Sequence, residues 1–422
     1  MKYANSLKYA DKFKSAKDRS DLSVARLGEL CNLLGKVNQG AKHIFFSGGC
    51  GSHGCAELTS SILQSAGYRV GHLSNIYGYD VRKSVKINGR MPSIDDCNRA
   101  TDIIKQVLNK NENRDYRKEE IVVAFALVVF MIEGCDFVLL EESTENDGEL
   151  FDVCSPYDLL LIPSALTDIP GKDRMERIRK IIKHVRHEVV SGNQRTDIFN
   201  SISSMCSNSG IRITMPAKTR FIGLSETPRK ITFEYKEKGG YTLRSGSYML
   251  RECVVLAIEL SYAIRRIGMK IPADSIIKGI ENAGCSGYFE ILTACPTLIT
   301  DMCCEDAELL LLAKNINDTM SVMSSDCLSL AFEAESCEEL LKKLSCFENL
   351  KLFKVYVLCR EELIKSCTDI TCELNCMYFN DIGTMIREVL KDNTENNTAL
   401  CFGKPCFVSE FSENALRLIN PI

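Results

Sequence analysis

The sequence predicts an α/β protein built from helix-flanked parallel sheets. Three observations predict it. Short apolar runs alternate with helical stretches along nearly the whole chain, the order that a parallel sheet with crossover helices requires. A glycine cluster, Gly48-Gly49-Cys50-Gly51-Ser52-His53-Gly54, lies between one such run and a helix. The 422 residues suffice for two or three domains at roughly 100–200 residues each, and 45% apolar with 26% charged residues is ordinary globular usage.

Residues 21–35 carry apolar positions at helical spacing and stop at Gly35, a residue suited to a C-cap. His43 to Ser47 is a short strand that runs into the glycine cluster. A helix over 55–67 and a strand from Tyr68 to Leu73 follow, giving strand, Gly-rich turn, helix, strand. Ser93 and Asp96 form a capping-box pattern for a helix to about Asn109. The run 121–132 is too long for a strand and predicts a buried helix. Phe137–Leu140, ending in Glu141-Glu142, and Tyr157–Ile162 are buried strands. Asp173–His187 is a strongly charged helix with a solvated face. Residues 230–245 predict a hairpin turning at Lys238-Gly239-Gly240. Helices follow over 247–268 and, behind Pro272, over 273–282.

Composition shifts after Cys295-Pro296. Strands at 297–300, 328–333, 353–358 and 398–402 alternate with helices at 305–315, 337–345, 381–391 and 409–419. We therefore expect a P-loop-type parallel-sheet domain over 1–293 and a smaller, Rossmann-like α/β domain over 294–422.

Charge and cysteine usage narrow the class. Lys+Arg of 52 against Asp+Glu of 56 leaves a net charge of −4, so there is no overall basic field for nucleic acid or anionic lipid. The longest apolar run, Ile121 to Ile132, is too short to span a bilayer. The polar, Lys-rich start has no apolar core of a secretory signal, which predicts a cytoplasmic protein with reduced thiols. The 21 cysteines include no Cys-x-x-Cys pair, so they read as small buried hydrophobes. Cys50, His53 and Cys55 offer three metal donors within six residues but lack a fourth.

The glycine cluster carries the chemistry. A Gly-rich turn before a helix N-terminus converges backbone N–H groups on an anion, and the helix dipole favours negative charge. Gly48, Gly49, Gly51, Ser52 and Gly54 are the phosphate-binding candidates. Without a ligand the same pattern is simply a tight turn. A nucleoside-triphosphate site also needs a Lys and a Ser/Thr hydroxyl. No Lys lies between Lys42 and Lys83.

At this point the chain resembles the folylpolyglutamate synthase/dihydrofolate synthase family of the Mur ligase superfamily. The family's helix, strand, GTNGKGS loop, helix and strand are similar to Leu33-Leu34-Gly35 followed by IFFSGGCGSHGCAELTSSILQSAGYRVGHLS. Val85-Lys86-Ile87-Asn88-Gly89 resembles the ERIxING segment, and residues 126–141 the AFLYF…VDVAVLE segment. Residues 284–290 resemble WPGRFE, Leu298–Asp301 the strand before DGAHNP, and Gly403–Phe407 the terminal GSLYL turn. The likeness runs in order along essentially the whole chain.

The resemblance implies an ATP- and Mg²⁺-dependent ligase that joins L-glutamate to a folate through an acyl phosphate. Carried over position by position, its machinery is depleted. Ser52 stands at the loop Lys, and Gly54 or Cys55 at the magnesium-binding hydroxyl. Asn75 stands at the magnesium-binding Ser, while Glu141 keeps the metal-binding Glu. The acidic stretch 142–149 replaces a segment bearing an Arg. The LDH histidine is missing near Leu166, and Lys180 and Lys183 are the candidates for the carbamylated Lys. Gly246–Cys253 loses the His, Gln and Asn of GxHQxxNA, and Tyr288 replaces the Arg of WPGR. Asp301 alone survives of DGAHNP, as a catalytic residue or as a helix N-cap.

Two readings of function follow. One is an active ligase using ATP and Mg²⁺. The other is a catalytically impaired or inactive relative that binds a nucleotide or folate-like small molecule, or a partner protein, through the old cleft. Losing one phosphate-stabilising donor costs on the order of 10²–10³ in rate, and several are lost together, which favours the second.

Overall fold

The computed structural model describes the chain except residues 1–8, 18–20, 50, 75–80, 111–114, 143–147, 165–171, 217–220, 237, 285–286, 304–305, 324, 363–374, 395–396 and 420–422. Two compact units emerge. One comprises 1–221, 235–241 and 252–283, the other 222–234, 242–251 and 284–422.

The first unit is built on a seven-stranded sheet. Its strands are β1 (Lys42–Phe46), β2 (Val70–Leu73), β3 (Val85–Ile87), β4 (Phe137–Glu141), β5 (Tyr157–Ile162), β6 (Val185–Ser191) and β7 (Arg212–Thr214), in spatial order β3-β2-β4-β1-β5-β6-β7. All neighbours are parallel except the antiparallel β2–β3 pair. The central strands β4 and β5 are buried along their whole length, as a sheet covered on both faces demands.

Six helices accompany these strands: α1 (Val24–Leu33), α2 (Ser52–Ser65), α3 (Ile94–Asn109), α4 (Lys118–Ile132), α5 (Lys172–Ile182) and α6 (Thr196–Asn208). Ser93 caps α3 as its sequence predicts, its hydroxyl accepting from Asp96 N–H. Helix α4 is buried on every side from Glu120 to Phe130. Its one deeply buried charge, Glu120, accepts from Arg26 Nε at 2.8 Å and from Ser23 N–H at 2.9 Å. That satisfies the acid and ties α1 to α4.

The charged segment 173–187 is not one helix. It is α5, which ends at Ile182, followed by β6. The charge density of Arg186 and His187 masks a strand whose later residues are buried. The hairpin also differs: β9 (Lys230–Tyr235) and β10 (Lys238–Leu243) place Gly239 and Gly240 inside a strand. A further strand, β8 (Phe221–Thr227), completes a three-stranded sheet. Helices α7 (Tyr248–Arg266) and α8 (Ala273–Asn282) follow.

The second unit holds a six-stranded sheet of β11 (Glu290–Ala294), β12 (Thr297–Asp301), β13 (Cys327–Glu333), β14 (Leu352–Leu358), β15 (Cys376–Phe379) and β16 (Asn397–Phe402), in order β11-β12-β16-β13-β14-β15. Only β11 runs antiparallel, against β12. The sequence boundary at 293/294 thus falls within β11. Helices α9 (Asp306–Met323), α10 (Cys337–Ser345), α11 (Ile382–Asp392) and α12 (Pro405–Ile419) accompany the sheet. Among the described residues, fifteen cysteines carry free thiols, nine of them buried, as small hydrophobes would be. Cys337 departs from that reading, being disulfide-bonded. Among the described residues, no helix is long and apolar enough to cross a membrane.

Candidate functional site

Strand β1 ends at Phe46, and the glycine turn carries the chain into α2. The helix starts at Ser52, inside the glycine cluster and three residues earlier than the sequence reading. Gly51 is its N-cap with φ +77°, and Gly49 has φ +128°. Both conformations favour glycine. The turn is closed by Ser52 N–H on Gly49 O at 3.1 Å and Cys55 N–H on Gly51 O at 3.0 Å. Ser52, at the position of the family's loop Lys, is 4% exposed. Gly48, Gly49, Gly51, Ser52 and Gly54 are therefore gathered at a helix N-terminus, the positive end of its dipole.

The loop is already furnished with charge. The Arg174 guanidinium, from α5, donates to Gly48 O, and it occupies the space that a Cβ on Gly49 would fill. From the end of β4, Glu142 places Oε2 3.3 Å from Gly48 N and accepts from Arg177 Nε at 2.7 Å. Arg177 also donates to both oxygens of Asp152, at 2.7 and 2.9 Å. Burial would lower its pKa, but Asp152 and Glu142 hold the guanidinium firmly charged. The sequence shows no Lys in the loop, yet a cation reaches it from more than 120 residues away. The available signal was spacing: Arg174, Arg177, Ile178 and Ile181 fall at i, i+3, i+4 and i+7, one face of a helix that reads as solvated only if charge is counted without phase.

Glu141, the retained metal-ligand candidate, is held by two histidines. His53, in the first turn of α2, sets Nδ1 2.8 Å from Glu141 Oε2. His72, on β2, sets Nε2 3.3 Å from the same oxygen. Glu57 Oε1 lies 3.3 Å from His72 Nδ1 and accepts from Lys86 Nζ at 2.6 Å. Burial alone would raise the Glu141 pKa, but His53 and His72 bring it down to about 2. Burial likewise opposes charge on His72, and Glu141 with Glu57 overrides it, so its pKa is raised. His72 has no motif around it and was not legible as a site residue. Its signal was a lone His on a buried strand, two residues out of register with a strand-end Glu.

This donor set does not fit Mg²⁺. Magnesium takes oxygen ligands in a near-octahedral shell and keeps several waters. Here Glu141 is engaged by two imidazoles, and Gly54 has no hydroxyl to offer. Asn75 lies outside the described residues, as does Cys50. Cys55 is buried and directs Sγ toward Cys253 O at 3.9 Å, so it does not join His53 in a Cys–His site.

Lys183 is not brought to the loop. It is exposed in the turn before β6, at the N-terminal edge of the parallel strands, whereas the glycine loop is at their C-terminal edge. Lys180 is also exposed. In the second unit, Asp301 ends β12, buried, and Oδ2 accepts from Phe289 N–H at 2.8 Å. Its carboxylate thus serves the 284–290 segment and is not the cap of α9. Burial raises its pKa to about 8 against the single N–H donor. It lines a small cleft with Tyr288, Glu308, Asn315 and Tyr248. Tyr248, at the family's His position, donates to Asp318 at 2.5 Å and lies under the Arg251 guanidinium.

The two α/β units each carry one antiparallel edge strand on an otherwise parallel sheet, and the first adds a glycine turn at its strand ends. No family model and no curated protein matches this sequence. Solved structures do. A folylpolyglutamate synthase–AMPPCP–folate complex is 12% identical with TM-score 0.80 over 100% of both chains. The Mycobacterium tuberculosis folylpolyglutamate synthase complexed with ADP is 14% identical, TM-score 0.78, over 99% of both chains. The Thermotoga maritima folylpolyglutamate synthase is 18% identical, TM-score 0.76, over 99% of this chain and 97% of that one. The chain has the folylpolyglutamate synthase fold.

Proposed function

We propose that this is a folylpolyglutamate synthase-like protein that is catalytically impaired or inactive as a ligase and acts by binding, either as a regulator or beside a partner protein. Its ligand is a nucleotide or folate-like small molecule. One observation carries this reading: the Glu142 carboxylate faces Gly48 N–H, where a bound phosphate oxygen would otherwise be received. Ser52 in place of the loop Lys points the same way. Stabilising charge on a transferring phosphoryl group takes cations and a metal; here an acid stands at the loop and the retained Glu is paired with imidazoles. We take 1–293 as the nucleotide-side region and 294–422 as the region that would meet an amino acid.

A second reading has its own support. Arg174 provides a guanidinium at the glycine loop, a donor suited to phosphate. On that reading the protein is an active ATP-dependent carboxylate–amine ligase that adds L-glutamate to a folate through an acyl phosphate. Calorimetric titration of the purified chain with ADP and with ATP plus Mg²⁺ tests the binding half. We expect nucleotide binding that is indifferent to Mg²⁺. Tightening by an order of magnitude on adding Mg²⁺ would favour the active ligase.

A further inference from the structure

The mismatch between Glu141 and magnesium has a positive counterpart. We propose that His53, His72 and Glu141 form a binding site for one divalent transition-metal ion of the zinc class. This does not rest on either reading of the ligase chemistry.

The three donors come from three elements that the fold brings together. His72 pairs with Leu139 across the parallel β2–β4 ladder. Glu141 is two residues beyond Leu139, so it shares that face of the sheet with His72. The first turn of α2 brings in His53 from above. Their donor atoms all lie within 4.8 Å of one another. Small side-chain rotations would bring two imidazole nitrogens and one carboxylate oxygen onto a common ion.

The chemistry of the set selects the metal. Imidazole suits zinc, copper, iron and nickel, whereas magnesium and calcium prefer all-oxygen shells. Two nitrogens and one oxygen are the protein ligands of a three-ligand zinc site with an open fourth position. Burial is graded accordingly. The His72 and Glu141 side chains are 1% and 5% exposed, while His53 keeps 25%, leaving one side for entry and for a further ligand.

An outer carboxylate completes the pattern. Glu57 sits 3.3 Å from His72 Nδ1, the ring nitrogen facing away from Glu141, although off the line of a well-formed hydrogen bond. A carboxylate behind a metal-binding imidazole orients the ring and raises its basicity. Lys86 anchors Glu57 from the far side.

The test is a titration of the full chain, stripped with EDTA and kept reduced, with Zn²⁺ by calorimetry and with Co²⁺ by absorption. The cysteines are the competing ligands, so the Co²⁺ spectrum is essential. We expect one equivalent bound, d–d bands of a nitrogen–oxygen shell, and no thiolate-to-cobalt charge-transfer band. His53→Ala, the least buried ligand and so the variant most certain to fold, should lose this equivalent. Glu57→Gln should weaken it roughly 10–100-fold. His72→Gln, checked for folding by circular dichroism, should behave as His53→Ala does. Absence of a stoichiometric ion, thiolate bands in the Co²⁺ form, or full binding by a folded His53→Ala chain would each overturn the assignment. The cluster would then be a closed ion-pair network.

Discussion

At the scale of single residues, the site is defined by which charges face which. Arg174 and Glu142 bring opposite charges to one glycine loop, so they make opposite predictions. Arg174→Ala removes a charged donor and should weaken ADP binding roughly ten- to hundredfold. Glu142→Gln removes the competing carboxylate at Gly48 N–H and should strengthen it. Calorimetric affinities that move in the same direction for both variants would mean that the loop is not where the nucleotide binds.

Asp301 gives a residue-scale prediction about pH. An ordinary Asp ionises near pH 3.8, whereas Asp301 in its buried position holds its proton to about 8. The unfolded chain therefore gives up this proton first. Below about pH 4 both states are protonated and there is no cost. Stability falls as pH rises from about 4 to 8 and levels off above, where both are ionised. Asp301→Asn keeps an acceptor for Phe289 N–H without the charge, so this part of the pH profile should flatten. Urea midpoints measured from pH 5 to 8 on both chains would settle it; parallel profiles would remove Asp301 as the cause.

At the scale of elements, helix α2 joins the site to the core. Its N-terminus carries the glycine loop and His53, and its middle packs on α8. A Cβ on Gly279 would overlap the Ile62 backbone, so α8 approaches α2 as closely as glycine allows. Gly279→Ala should destabilise the chain by about 1–3 kcal/mol through overpacking, read by chemical denaturation. An unchanged midpoint would show that the helices separate without cost. By contrast, Ser93→Ala at the head of α3 should cost about 0.5–2 kcal/mol, the value of one N-cap.

Elements also show what could be read in advance. Where apolar period and capping residues agree, as in α3, β5 and α8, sequence and structure coincide within a residue or two. Sequence and structure part where charge hides phase. Arg186 and His187 made β6 look like helix, and Arg174 and Arg177 looked solvated although they point to the glycine loop. The glycine cluster and Glu141 were legible because their chemistry is local. His72 and the loop's cation were not, because only the sheet register and the α5 crossover bring them there. Motif comparison along the chain is silent on side chains that only the fold brings together.

At the scale of the whole molecule, the fold of the folylpolyglutamate synthases persists at 12–18% identity across nearly the full chain. Fold is set by apolar periodicity and glycine turns, which many sequences satisfy; function depends on a few side chains that can be exchanged without disturbing either. The proposed loss of ligase chemistry beneath a retained architecture is an instance of that separation. Repairing one position should not reverse it. Ser52→Lys restores a loop cation but leaves Glu142, the imidazoles on Glu141 and Tyr248 unchanged.

The most direct measurement is phosphate release by the purified chain given ATP, Mg²⁺, tetrahydrofolate and L-glutamate together, alongside Ser52→Lys. We predict no release above the protein-free rate from either chain. Glutamate-dependent phosphate release by the unaltered protein would contradict the account and establish an active ligase.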